Sequence, residues 1–245
     1  MNSLTILNLY NQFIFYLGRK KLFEDTPYPD LTLTFPDTKL FEDNFNLIRD
    51  EYLNYLLLNN KKHSMVELGI FGGNSKTNLP WNKDCTMKED EVDASLDWSS
   101  VFIKLNNNIV PRNAEHFPVL AALVSQMPFI VNAFFSHLGP GSVIAPHRGY
   151  SKSFLRYHLG ILIPDGQQCY LEVDGIKHYW ELGKGVVFDD MFVHSAYNHS
   201  TQDRVVLYID FHRPLPFPYG WLIRKISNLL MNNSFVKKLE KKVNE

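Results

Sequence analysis

Residues 136–164 read SHLGPGSVIAPHRGYSKSFLRYHLGILIP, and residues 185–214 read GVVFDDMFVHSAYNHSTQDRVVLYIDFHRP. Each segment carries a histidine at the end of an apolar run, His147 in the first and His194 in the second. Arg156 and His158 follow the first histidine, and Arg204 follows the second. Between Leu155 and Ile163 the pattern alternates. Leu155, Tyr157, Leu159, Ile161 and Ile163 fall on one face of a strand, and Arg156, His158, Gly160 and Leu162 on the other. Arg156 and His158 are therefore expected side by side. Further along, Gln168–Val173 and Ile176–Trp180 flank Asp174-Gly175, the dipeptide preferred in a two-residue hairpin. Gly185–Phe188 and Arg204–Phe211 read as strands, as do Asp97–Lys104 and Phe129–Leu138, the last closed by Gly139-Pro140-Gly141. Short strands at close intervals predict a sandwich or barrel, not a parallel βαβ sheet.

Working outward, the spacing predicts helices on both sides of this core. An amphipathic helix packed on the domain is expected from LTILNLYNQFIFYLGRKK, where the positive charges follow the apolar part, the wrong order for a secretory signal. Leu22–Pro36 should be extended and irregular. Asp37 is a plausible N-cap for one helix over Thr38–Leu58, and Ala114–Met127 reads as another, with Pro118 in its first turn. Residues 59–97 hold GIFGGNSK, which lacks the spacing of a phosphate loop, and an acidic run at 88–93 that reads as a solvated face. After Pro218 a helical tail ends in Lys237, Lys238, Lys241 and Lys242. Docking on the barrel is the first expectation for it, and peripheral membrane contact through this basic helix the second.

The 245 residues, 45% hydrophobic and 14% aromatic, suffice for one sizeable core, so a single domain is expected. Its parts are a helical and irregular segment (1–97), a β core (98–215) and a helical tail (216–245). A net charge of −1 gives no electrostatic reason to expect nucleic acid as a partner. Cys85 and Cys169 form no disulfide framework or zinc pattern, which points to a reducing, cytoplasmic setting; whether the two pair is open.

Two imidazoles for a metal and arginines for an anion suit an oxygenase that uses Fe(II) and a dicarboxylate co-substrate. Such sites hold iron on a facial set, usually two histidines and a carboxylate, with positions left for co-substrate and oxygen. The carboxylate normally lies two residues after the first histidine. Here that residue is Gly149, so either water takes the position or the metal assignment fails. Asp189 and Asp190 are placed to orient His194, or simply to make a turn. Arg204 offers a planar fork to the distal carboxylate of 2-oxoglutarate. Arg156 and His158 suit the other end, or Arg156 pairs with a structural carboxylate. Arg148, Tyr150 and Lys152 either shape a substrate mouth or are surface polar residues.

PHRGYSKSFLRYHLGILIP, FDDMFVHSAYN and RVVLYIDFHRP together resemble the aspartyl/asparaginyl β-hydroxylase family, over roughly residues 100–215. The resemblance implies a double-stranded β-helix (jelly-roll, cupin-like) barrel, mainly β with flanking helices. It implies Fe(II), 2-oxoglutarate and O2, with glycine where the iron carboxylate is expected. By motif, His147 and His194 match the iron ligands, and Ser136, Arg156, His158 and Arg204 match the 2-oxoglutarate contacts. The reaction implied is hydroxylation of an unactivated C–H bond. In the animal peptidyl hydroxylases an arginine two positions before the one matching Arg156 helps hold the substrate; this chain has Phe154 there. LRYHLGI, VDG and RPLP are also similar to bacterial relatives acting on lipid acyl chains, although those often keep Asp at the Gly149 position. The substrate class, protein, peptide or lipid, stays open, as does a related barrel that binds a ligand without catalysis.

Overall fold

The computed structural model describes residues 3–58, 62–65, 67–68 and 97–244. GIFGGNSK, the acidic run at 88–93 and Cys85 lie outside them. The chain opens with helices α1 (Ser3–Arg19), α2 (Leu31–Thr34), α3 (Thr38–Asp43) and α4 (Phe45–Leu58). Strands β1 (His63–Ser64), β2 (Trp98–Leu105) and β3 (Asn108–Ile109) follow, then α5 (Pro111–Ala114) and α6 (Pro118–Gln126). Next come β4 (Ile130–Leu138), β5 (Val143–His147), β6 (Phe154–Leu162), β7 (Cys169–Val173) and β8 (Ile176–Tyr179). The described part ends with β9 (Gly185–Phe188), β10 (His194–Asn198), β11 (Arg204–His212), α7 (Tyr219–Met231) and α8 (Ser234–Asn244).

The strands form two antiparallel sheets. One has seven strands in the order β1-β2-β4-β11-β6-β9, with β3 added on β2; the other is β5-β10-β7-β8. Two antiparallel sheets facing each other, with flanking helices, make this chain a mainly β jelly-roll barrel. The turn between β7 and β8 has Asp174 and Gly175 at φ +51° and +76°, the left-handed pair that a two-residue hairpin needs.

Alternation along the central strands sorts side chains into two cores. Leu155, Tyr157, Leu159 and Ile161 of β6, with Leu207 and Ile209 of β11, pack outward against Phe41, Ile48 and Tyr52 of the N-terminal helices and Phe117 and Leu120 beside them. Phe134 and Leu138 of β4, Phe188 of β9, and Val206 and Tyr208 of β11 point between the sheets, against Leu171, Val173 and Ala196. The C-terminal helix α8 docks on this second core through Leu239 and Val243. A third cluster joins α1 and α7: Tyr10, Ile14 and Leu17 against Ile223.

Four helix readings need correction. The segment Thr38–Leu58 is two helices, because Asn44 caps α3: its backbone N–H and its side-chain Nδ2 both donate to the Leu40 carbonyl, ending the ladder. Asp37 makes no side-chain cap; the capping residue is Asp30, whose Oδ1 accepts from the backbone N–H of Thr32 and Leu33 and starts α2 inside the stretch expected to be irregular. Pro118 begins α6 instead of lying inside a longer helix, since it lacks an N–H and drives Phe117 out of the helical region. The tail is two helices, with Asn233 Oδ1 accepting from the N–H groups of Phe235 and Val236 at the start of α8.

Two stability predictions follow from this packing. Phe35 is 1% exposed, and its ring meets Phe41, Phe129, Tyr157 and Phe211. Phe35→Ala should lower the unfolding free energy in urea by about 3–5 kcal/mol. His212, at the end of β11, is held neutral by burial, which with Arg224 pulls its pKa down to about 4. The unfolded chain therefore binds a proton that the folded chain refuses as pH falls from about 6.5 towards 4, and stability falls with it. His212→Gln should flatten that part of a urea-denaturation pH series by about 1.4 kcal/mol per pH unit.

Candidate active site

The register of β5 on β10 sets His194 directly opposite His147, and their ring centroids are 4.1 Å apart. Each ring is oriented by a carbonyl two residues earlier on its own segment. His147 Nδ1 is 2.8 Å from the Ala145 oxygen and His194 Nδ1 is 3.1 Å from that of Phe192. An Nδ1–H donating to a carbonyl leaves Nε2 as the basic nitrogen, the arrangement metal-binding histidines use. Burial holds both rings neutral, His147 at about 4 and His194 well below its usual value. His194 is thus oriented by a backbone carbonyl and not by Asp189 or Asp190. Among the described residues no third histidine, cysteine or carboxylate joins this pair around a common metal position.

Strand β6 contributes Arg156 and His158 on the inward face, and β11 contributes Arg204, Tyr208 and Asp210, with Asp210 opposite Arg156 and Tyr208 opposite His158. Arg156 is a hub. Its Nη2 donates to Asp190 Oδ2 at 2.8 Å, its Nε to Asp210 Oδ1 at 3.1 Å, and its Nη1 lies 3.3 Å from His194 Nε2. The guanidinium also lies over the Tyr208 ring. Of the two roles open to Arg156, pairing with carboxylates inside the protein is realised here. Burial pushes the Asp190 carboxyl up to about 7; Arg156 pulls it down, while Asp210 and Asp189 push it further up.

Arg204 differs. It is 1% exposed; its Nη1 donates to the Ser136 carbonyl at 3.2 Å and to Ser136 Oγ at 3.5 Å, and the Cys169 thiol is also within its reach. Among the described residues it has no carboxylate partner, and its Nε has no partner at all. Burial lowers it to about 10. The guanidinium stacks on Trp180 at 4.7 Å. The indole N–H of Trp180 and both ring nitrogens of His158 also lack hydrogen-bond partners among the described residues. Ser136 Oγ accepts from the Trp98 indole at 3.0 Å. One buried guanidinium, one indole N–H and one neutral imidazole stand unsatisfied together, and a carboxylate is the group that would satisfy them.

A second charge cluster lies behind the first. Lys152 is buried, with Nζ 2.6 Å from both Asp25 and Asp189, and Asp189 also pairs with Arg213. Lys152 is therefore a structural cation and not a surface or mouth residue. Arg148 is tied back by its Nη1 donating to the Met191 carbonyl at 2.7 Å. Tyr150 stays near the site, with Asp210, Asp190 and Arg156 around it. Cys169 is a buried thiol next to Arg204.

The profile of the family described as Aspartyl/Asparaginyl beta-hydroxylase matches residues 42–214. The chain belongs to the aspartyl/asparaginyl β-hydroxylase family. It is 28% identical over 207 residues to the ornithine lipid ester-linked acyl 2-hydroxylase of Rhizobium tropici, covering 84% of this chain and 68% of that one. It is 28% identical over 200 residues to the human aspartate beta-hydroxylase domain-containing protein 2, covering 77% of this chain and 48% of the relative. The match to human aspartyl/asparaginyl beta-hydroxylase is 26% over 196 residues and spans 22% of that protein. The chain thus spans about half the length, or less, of these human relatives. Among solved structures, a 2OG-Fe(II) oxygenase family oxidoreductase from Burkholderia pseudomallei superposes with a TM-score of 0.38 at 13% identity, over 48% of this chain and 68% of that one.

Asp190 and Asp210 are the site residues whose roles the sequence did not disclose. The signal was there only as two aspartates before His194 and one inward position on β11; nothing in the spacing ties either to Arg156. Asp190 also explains Gly149. A Cβ at Gly149 would fall closer than 3.0 Å to the Asp190 carboxylate, and the Gly149 N–H donates to the Asp190 carbonyl at 2.7 Å. Gly149→Ala should lower the unfolding free energy by about 1–3 kcal/mol. In a double-mutant cycle read by urea denaturation, adding Asp190→Ala should recover part of that loss. Strict additivity would mean that Asp190 is not the obstructing group.

Proposed function

We propose that this chain is an Fe(II)- and 2-oxoglutarate-dependent hydroxylase acting on an unactivated C–H bond, with aspartyl or asparaginyl side chains as the first substrate class. The observation that carries this reading is Arg204, a guanidinium buried between the sheets without a carboxylate partner among the described residues, in the same interior as a facing histidine pair. Leaving such a charge unsatisfied would cost several kcal/mol, so an anionic ligand accounts for its position.

His147 and His194 would hold the metal through Nε2. Iron, 2-oxoglutarate and dioxygen would supply the oxidising chemistry, and the protein supplies placement and electrostatics. Arg204 would fork onto the distal carboxylate, with Ser136 Oγ beside it. His158, neutral and with both nitrogens unpartnered among the described residues, would meet the co-substrate between the two arginines. With a metal on His194 Nε2, Arg156 Nη1 would give up its contact with that nitrogen and be free for the co-substrate, while Asp190 and Asp210 hold the rest of its guanidinium. The two arginines balance the two aspartates, and a divalent metal with a dicarboxylate adds no net charge.

A second reading of the substrate, a lipid acyl chain, is favoured by Phe154. At the position where the peptidyl hydroxylases use arginine, this side chain is 4% exposed and packs on the rings of Tyr150 and His212, so it offers a substrate carboxylate nothing. The similarity to the lipid enzyme of Rhizobium tropici points the same way.

Anaerobic titration of the apo-protein with Fe(II) and 2-oxoglutarate tests the cofactor site. A weak visible charge-transfer band should appear in the parent and vanish in His147→Ala and His194→Ala. Arg204→Ala should keep the barrel, by circular dichroism, and raise the 2-oxoglutarate requirement by about 30-fold or more. A folded parent without the band would point to a non-catalytic barrel, and an unchanged requirement in Arg204→Ala would remove that residue from the site.

A further inference from the structure

The apolar arc of α1 is wider than the surface it packs on. Tyr10, Ile14 and Leu17 are buried, and the Tyr10 hydroxyl donates to the Ile223 carbonyl of α7 at 2.9 Å. Ile6, Leu9, Phe13 and Tyr16 recur at helical spacing along the adjoining stripe and are exposed, Leu9 at 50% and Tyr16 at 47%. Phe13 meets Tyr219 while Tyr10 meets Ile223, so α1 and α7 run antiparallel. The spacing then puts Leu222 and Leu229 of α7, the latter 75% exposed, on the same flank of the pair as Leu9, Phe13 and Tyr16. A continuous apolar strip built from two packed helices is more than scattered surface residues.

The charge around the strip has one sign. Residues 3–23 and 214–239 contain no aspartate or glutamate, while Arg19, Lys20 and Lys21 stand at the end of α1 and Lys225 on α7; Arg224 turns instead towards His212. Lys20 lies over the Tyr16 ring at 5.6 Å and Lys225 over the Trp221 ring at 4.3 Å. The acids that follow α1 in sequence are engaged elsewhere: Asp25 on Lys152, and Glu24 on the Asp30 N–H. Apolar residues, interfacial aromatics and lysines on one helical surface, within a chain of net charge −1, complement a layer of anionic headgroups over acyl chains. No helix among the described residues is long and apolar enough to cross a membrane, so contact at the surface is the mode that fits.

We propose that the α1–α7 helix pair is a docking face for an anionic phospholipid membrane. The basic end of the chain is not its main element, because α8 turns Val236, Leu239 and Val243 inward. The face connects to the site through Asn11 on the opposite side of α1. Its Nδ2 donates to the Tyr150 carbonyl at 2.9 Å, and its Oδ1 accepts from the Lys152 N–H at 3.0 Å and from Ser151 Oγ. Docking would thereby hold the segment that follows His147 at the bilayer. That consequence for substrate rests on the hydroxylase reading; the docking itself does not, and its test needs no turnover.

The experiment is co-sedimentation of the full chain with phosphatidylcholine vesicles, with and without phosphatidylglycerol. Binding is expected to the anionic vesicles and should weaken with salt. Lys20→Glu with Lys225→Glu should weaken it about fivefold or more for each charge removed. Leu9→Ser, Tyr16→Ser and Leu222→Ser together should abolish it while leaving the far-ultraviolet spectrum and the iron titration unchanged. Equal binding by the triple variant, or no binding to anionic vesicles, would overturn the proposal. So would concentration-dependent dimers of the parent that the same substitutions dissolve, which would assign the face to a second copy of the chain.

Discussion

A guanidinium buried between two sheets must find an anion, because the protein interior does not solvate it as water does. Three arginines test this rule within one barrel wall. Arg213 shares Asp189 with Lys152, which reaches Asp25 as well. Arg156 is divided between Asp190 and Asp210. The first cluster is neutral as a group, the second sets two carboxylates on one guanidinium, and both are closed by direct contacts, so their main effect is to fix geometry, since buried pairs add little net stability. Arg204 breaks the pattern. Its neighbours are a serine, an indole, a neutral imidazole and a thiol, and none of them carries negative charge while Cys169 stays protonated, its pKa pushed up to about 11 by burial.

Strand geometry decides which of these groups share a space. Inward positions on β6 and β11 recur every second residue, and the pairing sets Asp210 against Arg156 and Tyr208 against His158. The facing sheet contributes the histidine pair by a single register, and that register shifts between His194 and Ala196, immediately after the pair. Bulges re-aim side chains and are common beside active sites. The outward positions of the same strands bury aromatic and aliphatic groups under α3, α4 and α6. The wall that carries the polar cluster is thus backed from outside by a mostly apolar core.

Much of this was legible in the sequence, for identifiable reasons. The alternation in LRYHLGIL, the Asp174-Gly175 turn and the two histidine segments each encode local geometry, and those strands lie within one or two residues of expectation. The helix boundaries were less legible. Asn44, Pro118 and Asn233 interrupt apolar periodicities that run straight through them, and a periodicity cannot register a side chain that takes over a backbone carbonyl or N–H. Partner choice was least legible. Lys152 reads as a surface lysine because only the fold brings Asp25 and Asp189 to it. Arg156 and Arg204 look alike in sequence, yet one meets aspartates from a loop and a strand, and the other meets none among the described residues.

That difference bears on Gly149. Read along the chain, glycine two residues after His147 looks like the loss of a ligand. In three dimensions the space a side chain would take at 149 is filled by the carboxylate of Asp190, which reaches in from the segment before β10 and binds Arg156. A side chain at 149 would displace the Asp190 carboxylate from its place on Arg156, so the glycine suits the packing of the charge cluster. Asp190 Oδ2 is committed to Arg156, and Oδ1 has no partner among the described residues. The carboxyl absent from position 149 is therefore present beside the histidines at 190, where it holds a guanidinium against His194. Asp190 and Asp210 thus act on that imidazole through one shared guanidinium.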